Sequence, residues 1–404
     1  MNSKPVFSVI IPIFNHWNLT RDCLLSLKEH TPDFDFEVIV IDNGSSDESA
    51  AALTPLGESL FGPRFTRLRF EENRNFGPAC NAGARVASAP LLFFLNNDTL
   101  LTPGWAPPLL AAFERNSRLG AAGPLLLYED DTVQHMGVVF GLGNVAHLYQ
   151  YFPKDHTAVK ASRVFQALTG AALMMPAKLF ADLDGFFEGF INGFEDVDLC
   201  LRLGARGLTL RFVPDSVIYH LESRTQGRKG SEVHNIQLLY ERQGNNYRPD
   251  CHLHGKADGF LPFINDGLDI DLQMTDLDEV RLLKQSRHSP ALMYELARAN
   301  PLWVRGREVL ANVLMGQGQK EKALFLYTEI LNIQMSVESF DRVIALHEAL
   351  GMTENIKALK DKAEALRANA ANVDKVRRLQ RRFAGRGDAL LDELLENRLA
   401  RMLA

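Results

Sequence analysis

Four short apolar runs, residues 7–13, 36–41, 66–70 and 91–95, alternate with helix-like stretches, and each run breaks off abruptly into polar residues. This strand–helix alternation predicts an α/β domain with a mostly parallel sheet, covered by helices and joined by right-handed crossovers. In such a sheet, ligands gather outside the carboxyl ends of the strands. Those ends read Pro12-Ile13-Phe14-Asn15, Asp42-Asn43-Gly44-Ser45-Ser46-Asp47, Glu72-Asn73-Arg74-Asn75-Phe76-Gly77 and Asn96-Asn97-Asp98-Thr99. Each is also good turn chemistry, with Ser45 or Ser46 placed to cap the following helix. Four on one edge favour a ligand site. A carboxylate there accepts the imide N–H of a pyrimidine, while amides and a helix N-terminus suit ribose and phosphate. Neither GxGxxG nor GxxxxGK[ST] occurs, which argues against a dinucleotide-binding dehydrogenase and a P-loop NTPase.

The segments Val9–Asn15, Val40–Asp47, Asn73–Gly77 and Leu95–Thr99, in this order and spacing, resemble the successive nucleotide-site motifs of family 2 glycosyltransferases, of a rhamnosyltransferase-like kind. The resemblance implies the Rossmann-like GT-A fold and an inverting reaction. It implies that Pro12, Asn15, Asp42 and Asn43 line a nucleoside pocket, with Asn75 and Gly77 close by and Asn97 among the donor-binding residues. Asp98 corresponds to the last position of the family's DxD-type motif, which helps hold Mg2+ or Mn2+ on the donor diphosphate. The first position of that motif is the neutral Asn96. One carboxylate fewer weakens affinity for a hard cation.

Further along, the chain predicts a helix over 105–115, a strand over 120–127 and a strand with small residues over 166–175, where Gly170 allows close approach. His135 and His147 read as structural. Residues 193–203 predict a buried amphipathic helix with Glu195 and Asp196 in its first turn and Asp198 paired to Arg202. In the resembled family, such a Glu-Asp pair stands beside the acceptor. Carried over, Asp196 is the catalytic base and Glu195 the runner-up. A strand–turn–strand over 208–220 ends in His220, which in the family completes the metal site. Arg224, Arg228 and Lys229 follow, either as a loop closing over diphosphate or as a solvated basic segment.

The length of 404 residues suits more than one domain. The reading divides it into 1–255 as the transferase domain, 256–288 as a linker and 289–404 as a smaller all-α domain. Residues 309–327 resemble a tetratricopeptide repeat, with a weaker copy at 344–351, so a protein partner through this region is expected. Cys251-His252-Leu253-His254 lacks a second ligand pair and does not read as a zinc site. The arginines from 377 to 386 lie on a basic amphipathic helix, which either caps the helical domain or rests on an anionic membrane. A net charge of −6 argues against a nucleic-acid partner. No apolar run approaches the roughly 20 residues needed to span a bilayer, and the four cysteines are scattered. A cytoplasmic placement is therefore expected, with any membrane contact peripheral at the inner face of the plasma membrane.

The expected function is transfer of a sugar from a nucleoside-diphosphate sugar, UDP- or dTDP-linked, to a hydroxyl of a glycan or lipid-linked glycan. The alternatives are a helical-repeat adaptor with a degenerate transferase domain and a sugar nucleotidyltransferase. The Gly-rich loop of the latter is replaced here by Pro12-Ile13-Phe14-Asn15.

Overall fold

The computed structural model describes residues 4–31, 34–221, 228–244, 246–354 and 356–403. The chain forms two compact units, one of residues 1–139 and 147–247, the other of residues 140–146 and 248–404.

In the first unit, β1 (Phe7–Ile13), α1 (Trp17–Glu29), β2 (Phe36–Asp42), α2 (Ser49–Phe61), β3 (Phe65–Arg69), α3 (Phe76–Val86) and β4 (Leu91–Leu95) alternate as expected. Short β5 (Thr99–Leu101), α4 (Ala106–Arg115) and β6 (Leu119–Leu127) follow, then β7 (Val133–His135), β8 (Val138–Phe140), β9 (Val145–His147) and β10 (Arg163–Phe165), with residues 140 and 145–146 of β8 and β9 belonging to the second unit. β11 (Ala172–Pro176), α5 (Ala177–Asp182), α6 (Glu195–Ala205), β12 (Thr209–His220) and α7 (Arg228–Gln243) complete it.

The main path of the sheet runs β10-β12-β6-β11-β4-β1-β2-β3. Its β3-β2-β1-β4 half is parallel. β11 then enters antiparallel between β4 and β6, so the sheet is mixed. Strands buried on both faces explain the unbroken apolar runs: β1 has a single residue that is not fully buried. Strand order reverses at β1, between β2 and β4, which opens a crevice at the carboxyl ends of those strands. Beneath it, Trp105 is fully buried, stacks on Phe93 at 4.7 Å and donates its indole N–H to Thr31. Gly83 lets α3 lie close on the sheet, because a Cβ there would sit 2.7 Å from both Ile10 and Ile41.

Two local expectations differ. Within 208–220, residues 209–220 form the single strand β12, irregular between Val213 and Val217, rather than two strands with a turn. Residues 166–171 lie outside the strand expected over 166–175, which begins at Ala172.

The second unit contains α8 (Cys251–Ala257), the hairpin β13 (Leu261–Ile264) and β14 (Ile270–Gln273), and α9 (Asp276–Gln285). Thus 256–288 holds regular structure. α10 (Pro290–Ala299), α11 (Val304–Gly316), α12 (Lys320–Ile333), α13 (Val337–Ala349) and α14 (Ile356–Ala370) follow, each packed on the next. α15 (Val373–Phe383) and α16 (Ala389–Leu403) then form a core with Leu142, Ile264 and Ile270. Among the described residues, no helix is long and apolar enough to cross a membrane.

Candidate active site

The first wall of the crevice is a pair of loops that cap each other's helices. Asn15 and His16 are left-handed, at φ 55° and 59°. Asn15 Oδ1 accepts the Ser46 and Asp47 N–H groups at 2.9 and 3.3 Å, while its own N–H donates to Ser45 Oγ. In return, Asp47 accepts the Trp17 and Ser49 N–H groups at the starts of α1 and α2, both at 3.0 Å. Asp47, rather than Ser45 or Ser46, therefore serves the start of α2. Burial pushes the Asp47 carboxyl up, but hydrogen bonds from Ser49 and Trp17 outweigh it and leave the group below its usual range. A cleft of about 700 Å3 opens here, lined by Asn15, His16, Trp17 and Ser46–Glu48 and not reaching Asp42, Asp98 or Asp196.

Asp42 ends β2, opposite Ile13 of β1, and is fully buried. Its Oδ1 accepts the Ser45 N–H at 2.8 Å, and its Oδ2 accepts Arg67 at 2.5 Å and Arg69 at 2.7 Å. Arg69, the more exposed of the two arginines, also donates to the Ser45 carbonyl. The carboxylate thus fixes the 42–47 loop and two guanidinium groups. Pro12 is half-buried in β1 beside Ile41, and Asn43 is buried and bonded to the 73–75 loop. Gly77 lies in the first turn of α3, where a Cβ would meet Glu195 at 3.5 Å.

The second wall is built by strand pairing. Antiparallel β5 and β12 set His220 opposite Thr99, which brings its imidazole to Asp98 from 122 residues away in sequence. Asp98 is 2% exposed. Its Oδ1 lies 3.1 Å from His220 Nε2, and Asn96 Nδ2 lies 3.3 Å from the same nitrogen. His220 Nδ1 makes a short hydrogen bond to Gln134 Oε1, and Gln134 Nε2 donates to the His220 carbonyl at 3.0 Å. A carbonyl only accepts, so the amide orientation is fixed and Nδ1 carries the proton. With Nδ1 committed to Gln134, Nε2 is the ring nitrogen that faces the Asp98 carboxylate. Asn97 turns away to donate to Thr20 of α1 at 2.8 Å. Among the described residues, no three ionisable metal-ligating side chains converge, so Asp98 and His220 stand as a two-donor set. Sequence reasoning missed Gln134. It is one polar residue in a three-residue strand, and its partner lies 86 positions away.

The third wall is α6. Asp196 is half-buried, with Oδ2 accepting the Gly170 N–H at 2.6 Å. Glu195 is 2% exposed. Asp198 is fully buried and bonded to Arg202, as expected, and also to Arg242 and Gln243 of α7. His135 and His147 meet through their Nδ1 atoms at 2.6 Å, and His135 Nε2 accepts the Thr169 N–H. Burial, with His147 and His220 nearby, holds the His135 pKa well below the usual range. Arg224 lies outside the described residues. Arg228 and Lys229 begin α7, but their side chains lie outside them too.

Three walls with an amide-rich loop pair, a carboxylate–imidazole pair and an accessible carboxylate follow the expected motif order. Residues 8–167 match the family described as glycosyl transferase family 2. Over this stretch the chain is similar to that family. The matched residues hold the first two walls apart from His220, while α6 lies beyond the match. The chain is 32% identical over 57% of its length to the uncharacterized protein y4gI of Sinorhizobium fredii. It is 32% identical over 56% of its length to the O-antigen biosynthesis protein RfbC of Myxococcus xanthus. It spans 26% and 18% of those two proteins, respectively. It is also 29% identical, over 50% of its length and 71% of the relative's, to the N-acetylglucosaminyl-diphospho-decaprenol L-rhamnosyltransferase of Mycobacterium tuberculosis.

Proposed function

We propose that this chain transfers a sugar from a nucleoside-diphosphate sugar to a glycan or lipid-linked glycan hydroxyl, with inversion, in the cytoplasm. The observation that carries the reading is the Asp98–His220 pair. A buried carboxylate faces an imidazole whose proton is fixed on the far nitrogen, at the edge where the family holds the donor diphosphate. Mg2+ or Mn2+ fits this donor chemistry of one anionic oxygen and one imidazole nitrogen, with the donor's own phosphates completing the set. When bound, the cation would neutralise the charge on the leaving diphosphate.

The remaining steps belong to the chain. The 15 and 43–47 loops seat the nucleoside, and Asn75 and Gly77 border it. Asp42 acts by holding Arg69 and the loop backbone in place. Asp196, held by the Gly170 N–H and still partly accessible, takes the acceptor proton, while the more deeply buried Glu195 is less suited. The acceptor oxygen forms a bond to the anomeric carbon. The bond from that carbon to the diphosphate oxygen breaks, its electron pair leaves with the nucleoside diphosphate, and attack from the opposite face inverts the centre.

The name of the mycobacterial relative supports an L-rhamnosyl donor and a lipid-linked N-acetylglucosaminyl-diphosphate acceptor. The successive helix pairs α10–α14 support a tetratricopeptide-like surface for a protein partner. α15 buries Val376 and Phe383 in a core with α16, so any contact with an anionic membrane is made by its arginines alone.

The test is turnover by the full chain across UDP-, dTDP- and GDP-sugars with Mn2+ or Mg2+. Asp196→Asn is expected to keep donor affinity and lose about 10²–10⁴ in transfer rate. Absence of donor binding and donor hydrolysis across the panel overturns the reading.

A further inference from the structure

A side chain three residues ahead of α6 holds the start of α3. Asn192 Oδ1 accepts the Phe76 N–H at 3.1 Å, and its Nδ2 donates to Asn75 Oδ1 at 3.2 Å. Asn75 stands at φ 68°, ψ −178°, a backbone region that is essentially glycine's alone. Asn192 itself is left-handed at φ 48°, as is Phe194, at φ 72°, which immediately precedes α6 and offers it no side-chain cap. Three such residues persist only where their surroundings over-determine them.

The surroundings do so from both sides. Asn43, at the end of β2, donates to the Asn75 carbonyl at 3.1 Å and to Asn73 Oδ1 at 2.9 Å, and its Oδ1 accepts the Arg74 N–H. On the far side, Asn235 of α7 clamps Ile191, accepting its N–H at 3.1 Å and donating to its carbonyl at 2.9 Å. The first turns of the two helices are also packed together. A Cβ at Gly77 would lie 3.5 Å from Glu195 Cγ, and one at Gly170 would lie 3.2 Å from Asp196 Cβ and 3.3 Å from the Phe76 ring. Close packing of this kind transmits a displacement instead of absorbing it.

We propose that Asn192 is a positioning residue that ties the nucleoside loops to the placement of Asp196. The proposal rests on the transfer reading above. Donor seated against Asn43 and Asn75 fixes the Asn75 peptide, Asn192 carries that constraint across to residues 192–194, and the first turn of α6 follows. Asn192 acts through its neighbours and takes no part in the bond changes.

The test uses the full chain as wild type, Asn192→Ala, Asn75→Gly and the double variant. It reads UDP, dTDP and GDP affinity by calorimetry, and kcat and KM with whichever donor the wild type uses. Asn192→Ala is expected to lose roughly 10–100-fold in kcat through displacement of the base, with nucleotide affinity and donor KM within about twofold. Glycine at 75 keeps the required backbone but removes the side chain that Asn192 holds, so the double variant is expected to lose little more kcat than Asn192→Ala alone, a non-additive result. An unchanged kcat, a loss matching only the fraction of protein folded, a loss appearing in affinity alone, or strictly additive variants overturn the proposal. A wild type that binds none of the three nucleotides and turns over no donor overturns the transfer reading and this proposal with it. A wild type that turns over at the same rate as Asn192→Ala overturns this proposal alone.

Discussion

His220 shows how much a single ring depends on its neighbours. Its Nε2 faces Asp98 because Gln134 takes the proton on Nδ1. Gln134→Leu removes both that acceptor and the donor to the His220 carbonyl, leaving either tautomer open. Partners of this kind tune metal affinity by about 10–100-fold, so the Mn2+ concentration for half-maximal turnover is expected to rise by that factor, with kcat at saturating Mn2+ little changed. A metal titration of turnover checks this. The roles given to Asp42, Asp98, Asp196 and His220 came from the family resemblance, and their places at or near the ends of elements were legible in the apolar runs. Gln134, Asn192 and the Arg67–Asp42–Arg69 cluster were not, because such partners are created by pairing across the sheet and by loops meeting in space.

At the scale of elements, the alternation over 7–95 gave the parallel half of the sheet, since strands buried on both faces must be almost wholly apolar. The antiparallel entry of β11 and the continuity of β12 through Pro214-Asp215 carried no such mark. The seating of α3 on the sheet rests on Gly83. Alanine there gains about 1 kcal/mol in helix propensity, which offsets part of a contact at 2.7 Å with Ile10 and Ile41. Gly83→Val adds bulk with less propensity gain, and is expected to cost about 1–3 kcal/mol by overpacking, with alanine in between. Denaturant melts of the two variants check the order. For α15, replacing Arg377, Arg378, Arg381 and Arg382 with glutamate leaves the buried Val376–Phe383 face intact. If the arginines meet an anionic surface, the wild type co-sediments with phosphatidylglycerol vesicles at low salt and the variant does not, with little change in melting temperature. Equal sedimentation of the two leaves α15 as a cap of the helical core.

For the whole molecule, the second unit has a pH dependence of its own. Asp271 accepts the Asn265 side chain and the Met335 N–H, yet burial pushes its carboxyl from 3.8 up to about 6. The folded state therefore holds a proton that the unfolded state has released between those values. Stability is expected to fall as pH rises through about 6 and to reach its full penalty above it. The penalty vanishes near 3.8. The shift corresponds to about 3 kcal/mol at neutral pH. Asp271→Asn is expected to flatten this part of the profile, as measured by melting temperature between pH 5 and 8. The two-unit division was only partly legible, because nothing in the periodicity of 138–147 marks it as belonging with later sequence. Yet Phe140 exchanges hydrogen bonds with Asp250, the Leu142 N–H donates to Asp269, and Leu142 joins the core of Ile264, Ile270 and Val376. For a chain made from its N-terminus, the seven residues 140–146 leave the ribosome before any of these later partners exist. They must wait through more than a hundred further residues before they find their places, so the second unit cannot be finished until that earlier strand of text is taken up. No single cut between residues separates the two units without leaving one of them a segment short.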